Sequence, residues 1–313
     1  MWMQSRRDFL VASAAGALAL PAGVLLAGPA GKPVDMTIAR WAGAKRLSNA
    51  QIDEAAGKMT AKAIEALGGM KRFVKRGDVV WIKPNIGWDR KPELAANTNP
   101  QIVAALVRLA LEAGAKTVKV GDNPVHPAGK TYESSGIAAA AKAAGAKVVY
   151  LDKSRFRKAA IGGEIVREIP VYPEIMDCDV VINAPLVKHH VMSTLTMCMK
   201  NYLGVVENRQ VFHQNLPVCI ADITRYMKAA QSRLHLLEGV RVLTGHGPTG
   251  GNLADVQVKM TLAAGTDPVA LDAWGAELVG KQPSQIGSVV HGQKVGLGTI
   301  DYRSLALREI AVS

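Results

Sequence analysis

The sequence predicts an α/β fold with a mostly parallel sheet and helices on both faces. Three observations carry that expectation. Apolar runs of strand length alternate with helix-length amphipathic or Ala-rich stretches from residue 36 to residue 311. Runs such as Val79-Val80-Trp81-Ile82 are continuously apolar, as strands covered on both faces are. Strand–helix–strand order implies right-handed crossovers between parallel strands. The same layout also suits two lobes around a cleft, but the simpler expectation is a single α/β domain over 36–311.

Each element has a local reason. Residues 36–41 read as a first short strand. Ser48 or Asn49 caps a helix to Leu67 with Ile52, Ala55, Ala56, Met59, Ala63, Ile64 and Leu67 on one face, and Gly68-Gly69 stops it. One or two helical turns follow at 70–75. Asp78 opens the buried strand 79–82. Asn99 caps a helix through 113, with Pro100 at its first position. Residues 117–120 form a strand, 134 or 135 to 144 an Ala-rich helix, and 147–151 a strand. Segments 156–161 and 164–171 flank Gly162-Gly163 as a hairpin. Residues 179–184 are a strand, and helices are expected at 194–206 and 216–230. Strands at 240–243 and 256–262 precede a helix at 268–279 capped by Asp267. The stretch 286–311 supplies a short helix and an edge strand.

Composition excludes several classes. Of 313 residues, 49% are hydrophobic, 20% charged and 5% aromatic, a globular balance that rules out disorder, collagen and coiled coil. Three cysteines make neither a disulfide framework nor a four-thiolate cluster. The net charge of +12 favours anionic partners. Its local concentrations are Lys71, Arg72, Lys75, Arg76 and Lys153, Arg155, Arg157, Lys158. No arginine-rich arm, zinc-finger spacing or RNP pattern is present, so no nucleic-acid partner is expected.

Ser5-Arg6-Arg7-Asp8-Phe9-Leu10 precedes an apolar, Ala/Gly-rich stretch to Ala27. This has the form of a twin-arginine export signal, with Val11 where a lysine is usual. Gly28 and Ala30 are small at the −3 and −1 positions of a cleavage site after Ala30. Residues 9–27 approach the roughly 20 that a spanning helix needs, but Pro21 and the nearby glycines favour a cleaved signal over residues 1–30. The expected location is periplasmic, with no membrane partner after cleavage. The twin-arginine route carries proteins already folded, often around a cofactor, though which cofactor is unknown from the sequence.

In parallel sheets the ligand lies beyond the carboxyl ends of the strands. Four strands here end in polar residues: Lys83, Pro84 and Asn85; Gly121 and Asp122; Lys188, His189 and His190; and Thr244–Gly251, which holds Gly245, Gly247, Gly250 and Gly251. Their coincidence marks a site. Lys83 can bind an anion or, desolvated, act as a base. Lys188 joins a cation to two imidazoles that point different ways on an extended strand. Lys200, amid Met197, Cys198, Met199, Tyr202 and Leu203, is unusual for a surface lysine. If 194–206 is helical, Thr196, Lys200 and Gly204 share a face. Glu207, His213 and Asp222 allow a His–carboxylate pairing for acid–base work or a metal, although no metal-binding spacing is present. The glycine-rich loop reads either as an anion cradle or as a tight turn. The catalytic candidates are therefore Lys83, Asp122, Lys188, His190, Lys200 and His213. The cofactor-binding candidates are Asn85, Asn201, Gly245, Gly247, Gly250 and Gly251.

The run Ala184-Pro185-Leu186-Val187-Lys188-His189-His190, then Thr194, Thr196, Met199-Lys200-Asn201 and Gly204, then His213 and Asp222, resembles the family catalogued as domain of unknown function 362. Lys83-Pro84-Asn85, Gly121-Asp122, the set Gly245, Gly247, Pro248 and Gly251, and Asp267-Pro268 with Asp272 fit as well, with Thr244 where many members have Glu. The resemblance spans about 78–280. Many members carry a fused ferredoxin-like module, which implies redox or iron–sulfur work, but this chain has none. More distantly, the layout is similar to the two-lobed nickel-pincer lactate racemases, which place lysines and histidines around a cofactor cleft. Neither nickel nor racemisation carries over.

Three functions follow as expectations: an exported enzyme, redox-linked or proton-transferring, acting on an anionic ligand held between Lys83, Lys188 and Lys200; a periplasmic binding module for an anionic cofactor or metal chelate; and an assembly factor that docks an exported redox partner protein.

Overall fold

The computed structural model describes residues 33–313, and the signal read at 1–30 lies outside them. The described chain enters on β1 (Met36–Trp41) and α1 (Asn49–Ala66). Ser48 caps α1 in a capping box: its Oγ accepts from Gln51 N, and Gln51 Oε1 accepts from Ser48 N. Next come β2 (Val79–Pro84), α2 (Pro100–Glu112) and β3 (Thr117–Val120). Asn99 Oδ1 caps α2 by accepting from Gln101 N. The Ala-rich helix expected from 134 or 135 to 144 is α4 (Ile137–Ala143), and a helix not expected from the sequence, α3 (Ala128–Ser134), precedes it. Gly136, at φ +70°, interrupts them, because a left-handed residue cannot continue a right-handed helix. The strand expected at 147–151 shortens to β4 (Lys147–Val148).

The hairpin of β5 (Arg157–Ala160) and β6 (Glu168–Val171) has a longer turn than Gly162-Gly163 alone. The Asp222 carboxylate accepts from the backbone of Glu164, Ile165 and Val166 and holds that turn open. Then come α5 (Pro173–Met176), β7 (Val180–Ala184), β8 (Leu186–His190), β9 (Thr194–Thr196) and α6 (Cys198–Asn201). The helix expected over 194–206 is thus a strand, a single helical turn and a 3₁₀ turn (Tyr202–Val205). Residues 194–196 pair with β8 instead, Thr196 opposite Lys188 and Thr194 opposite His190. A cross-strand partner outweighs local helical spacing here.

The chain continues through α7 (Leu216–Ala230), β10 (Ser232–Leu243), β11 (Val256–Gly265), α8 (Pro268–Leu278), α9 (Gly287–Lys294) and the edge strand β12 (Leu307–Val312). The strand expected at 240–243 is the last third of the longer β10. Ten strands of the described residues make one sheet, ordered β12-β1-β11-β10-β7-β2-β3-β4, with β8 on β10 and β9 on β8. Along that path only β11 runs against its neighbours. Successive β2 residues face opposite layers. Val80 and Ile82 pack with Ile64, Ile102 and Leu106 of α1 and α2, while Trp81 joins the layer of Ile220, Val269 and Val289 from α7, α8 and α9. Residues Pro33–Ser313 cluster as one unit on this sheet. No helix of the described residues is long and apolar enough to cross a membrane.

From β2 the chain winds outward to β3 and β4, then returns to β7 on the other side of β2. The strand order therefore switches between β2 and β7, the place where parallel sheets open a crevice at their carboxyl ends. β10 deepens it. Its first half pairs with β7, and its second half with β8, Leu243 lying opposite Lys188.

Candidate functional site

A cleft of about 520 Å³ occupies that switch point. Asn85 from the end of β2, Asp122 from the end of β3 and Lys188 and His190 from β8 line it together with Lys200, Asn201 and His213. Of the twelve candidates, these seven come together in one place.

Lys83 does not line the cleft. It is wholly buried behind it, with Nζ 2.8 Å from Asp122 Oδ1. Burial lowers its pKa, and Asp122 opposes that shift. Asp122 also accepts from Asn123 N (2.9 Å) and Ile86 N (2.8 Å), so both carboxylate oxygens are engaged. Gly204 covers the pair. A Cβ there would lie 1.8 Å from Asp122 Oδ1 and 2.7 Å from Lys83 Nζ, so the backbone reaches this ion pair only where the side chain is absent.

Lys188 donates to Asn85 Oδ1 (2.9 Å) and to Ala96 O (2.5 Å). Burial pushes its amine well below the usual lysine range, and neighbouring Lys200 adds to this. Asn85 Nδ2 donates to Asn201 Oδ1 (3.0 Å), and Asn201 Nδ2 to Asn183 Oδ1 (2.8 Å). Asn201 thus ties α6 to β2 and β7 through side-chain amides. Such a buried network is rigid when every member is satisfied.

Lys200 differs. Burial and, to a lesser degree, the Arg209 guanidinium together lower its pKa to about 7; no carboxylate or hydrogen bond opposes them. Its placement depends on Asp272 of α8, whose oxygens accept from Cys198 N (2.6 Å) and Met199 N (3.1 Å) and so anchor the first turn of α6. Asp272 is itself buried, and its pKa is pushed up to about 7 by that burial.

His190 Nδ1 accepts from Met192 N (3.1 Å) and Ser193 N (3.3 Å). Burial, with Lys200 and Lys188 nearby, drops its pKa to about 3, so the ring is neutral at pH 7. With Nδ1 used as an acceptor, the ring proton sits on Nε2, which becomes a donor. His189 points the other way, as alternation on a strand requires, and its Nδ1 accepts from Gly247 N (3.0 Å). His213 stands exposed at the rim on the 3₁₀ turn Gln210–Gln214. It has no Asp222 partner, because that carboxylate is occupied by the 164–166 backbone and Arg225. Glu207 is exposed and outside the cleft lining.

The glycines of the 245–251 loop do not line the cleft; Pro248 among them does. The loop packs closely instead: a Cβ on Gly247 would lie 2.0 Å from His189 O. It is part of the connection from Leu243, the end of β10, to Val256, the start of β11. Cys178, Cys198 and Cys219 are free and buried. Among the described residues no group of three His, Cys, Asp or Glu side chains is placed to hold a metal.

Arg209 lines the cleft and has no place in the strand-end reading. Its Nη2 donates to Asn123 O and Pro124 O, which fixes it over the end of β3. It lies between elements, so strand-end reasoning passes over it; its spacing four residues before His213 is the only sequence signal. Trp88, edge-on to His126 at 4.9 Å, also lines the wall. Thr196 is 3% exposed, lines the cleft and has no partner for Oγ1.

The profile of the family described as domain of unknown function 362 matches residues 80–277. The chain belongs to that family. It is 31% identical over 242 residues to a thylakoid-associated protein of Synechocystis sp. (strain ATCC 27184 / PCC 6803 / Kazusa), covering 75% of this chain and 73% of the relative. Among solved structures, the lactate racemase apoprotein of Thermoanaerobacterium thermosaccharolyticum superposes with a TM-score of 0.48 at 11% identity, covering 78% of this chain and 57% of the racemase. A Thermotoga maritima protein superposes at 0.39 and 12% identity, covering 79% and 61%. The chain thus spans under two thirds of either solved structure's length.

Proposed function

We propose that this family member is exported by its twin-arginine signal and binds a small organic anion in the cleft, exchanging a proton with it through Lys200. The observation that carries the reading is a charge imbalance. Arg209 and Lys200 line the cleft, while Asp122, the one carboxylate in its lining among the described residues, is neutralised by Lys83 and two backbone amides. A cationic lining with apolar walls selects an anion, since an unpaired cation away from water gains most from one. Arg209 supplies a permanent charge. His190 Nε2–H and the unpartnered Thr196 hydroxyl supply orienting hydrogen bonds. A neutral Lys200 amine takes a proton from a bound acid and becomes an ammonium beside the anion; the reverse step returns it. Lys83 and Lys188 hold the frame in this account, Lys83 through Asp122 and Lys188 through Asn85.

Calorimetry with butyrate and inorganic phosphate tests the reading. The wild-type chain is expected to bind at least one of them, and Arg209→Gln to weaken it about tenfold or more, the worth of a charge-assisted hydrogen bond. Unchanged affinity in a folded Arg209→Gln variant contradicts it. Export is tested separately: replacing Arg6 and Arg7 with lysine should leave the protein in the cytoplasmic fraction.

A further inference from the structure

The β8–β9 hairpin forms one wall of the cleft and grades from polar to apolar along its length. At its base Lys188 lies opposite Thr196, 1% and 3% exposed. One step up is half-buried His190. At the tip Val191 and Met192 are 76% and 54% exposed, and both still line the cleft. Val125, 54% exposed, adds to the same lining from the segment after β3. Large apolar side chains in water singly need no explanation, but three that converge on the mouth of a pocket with a cationic interior do.

We infer that the ligand is an amphipathic anion, with its charged group on the buried floor by Lys200, Arg209 and Thr196 and an apolar chain running up the hairpin to the Val191–Met192 lip. The inference rests on the anion reading above and narrows it to a ligand class, the monoalkyl carboxylates or phosphates. A short anion leaves the lip bare; a chain of about ten carbons covers it. Each methylene so buried tightens binding about fourfold at most.

The test is calorimetry on the whole chain at pH 6 with butyrate, decanoate and decanol. Decanoate is expected to bind at least tenfold tighter than butyrate. The exposed double variant Val191→Ser, Met192→Ser should remove most of that gain, weakening decanoate far more than butyrate. Butyrate bound as tightly as decanoate overturns this inference and leaves the anion reading standing, as does decanoate binding that the double variant does not weaken. No binding of either acid overturns this inference, and decanol bound as tightly as decanoate overturns the anion reading and this inference together.

Discussion

Lys83 and Asp122 pair at 2.8 Å, wholly buried beneath Gly204, and the pair closes the floor of the cleft. Breaking such a pair on one side strands the other charge. Asp122→Asn is therefore expected to lose about 3–5 kcal/mol of stability, read by urea denaturation, and Lys83→Met in the same chain to restore part of it. A single variant as stable as wild type refutes the pairing.

Gly204→Ala places a methyl group where Asp122 Oδ1 already sits. Overpacking of this kind costs about 1–3 kcal/mol. It should also shift Asp122, so butyrate affinity is expected to fall together with the denaturation midpoint. Normal binding in a destabilised variant would mean that the floor plays no part in the site.

Lys200→Met is expected to stabilise the protein while weakening anion binding. With the folded pKa near 7 and the unfolded one near 10.4, the unfolded state binds more protons between those values. Wild-type stability contributed by this group therefore rises with pH across that window and is lowest below pH 7. Removing the amine should raise stability at pH 6 by about 1–3 kcal/mol and flatten the profile from pH 7 to 10. Thermal melts across that range check both points. For binding the sign is opposite: the anion prefers the ammonium, so affinity should fall above pH 7 in wild type and less so in the variant.

Glu238 gives a separate pH signature. Burial raises its pKa to about 8, although it accepts from Asn99 N at 2.7 Å. The folded state holds the proton that an unfolded Glu releases near pH 4.3, so this group's contribution falls as pH rises from about 4.3 to 8. Glu238→Gln keeps an acceptor for Asn99 and should match wild type at pH 4 while exceeding it at pH 8. A parallel pair of pH–stability curves contradicts this assignment.

Asp272 is a positioning residue. Asp272→Ala frees two buried amides of α6 and should cost about 1–3 kcal/mol. It should also move the Lys200 titration midpoint, which a merely structural loss would leave in place. Asp272→Asn, with one acceptor retained, should rescue part of both.

Much of this was legible in the chain. Asn99-Pro100 and Asp267-Pro268 mark helix starts because caps are local chemistry, and both helices begin there. The strand ends bring Asn85, Asp122, Lys188 and His190 together because a parallel sheet puts its carboxyl ends on one edge. What was not legible depends on distant pairing. Residues 194–196 become a strand because β8 lies opposite, not from their own pattern. Lys83 looks like a free strand-end lysine until Asp122, 39 residues on, is seen to claim it. Arg209 occupies the cap position at the start of the 3₁₀ turn Gln210–Gln214 rather than ending a strand, and enters the cleft only through tertiary packing.

The most direct test is a pH titration of isotope-labelled lysine side chains by NMR, with and without butyrate, in wild type and Lys200→Met. The account predicts a resonance with a midpoint near 7 that is absent from the variant and moves upward when butyrate binds. A Lys200 signal that titrates with the surface lysines near 10.4, or a midpoint that saturating butyrate leaves unmoved, contradicts the claim that this cleft receives an anion at Lys200.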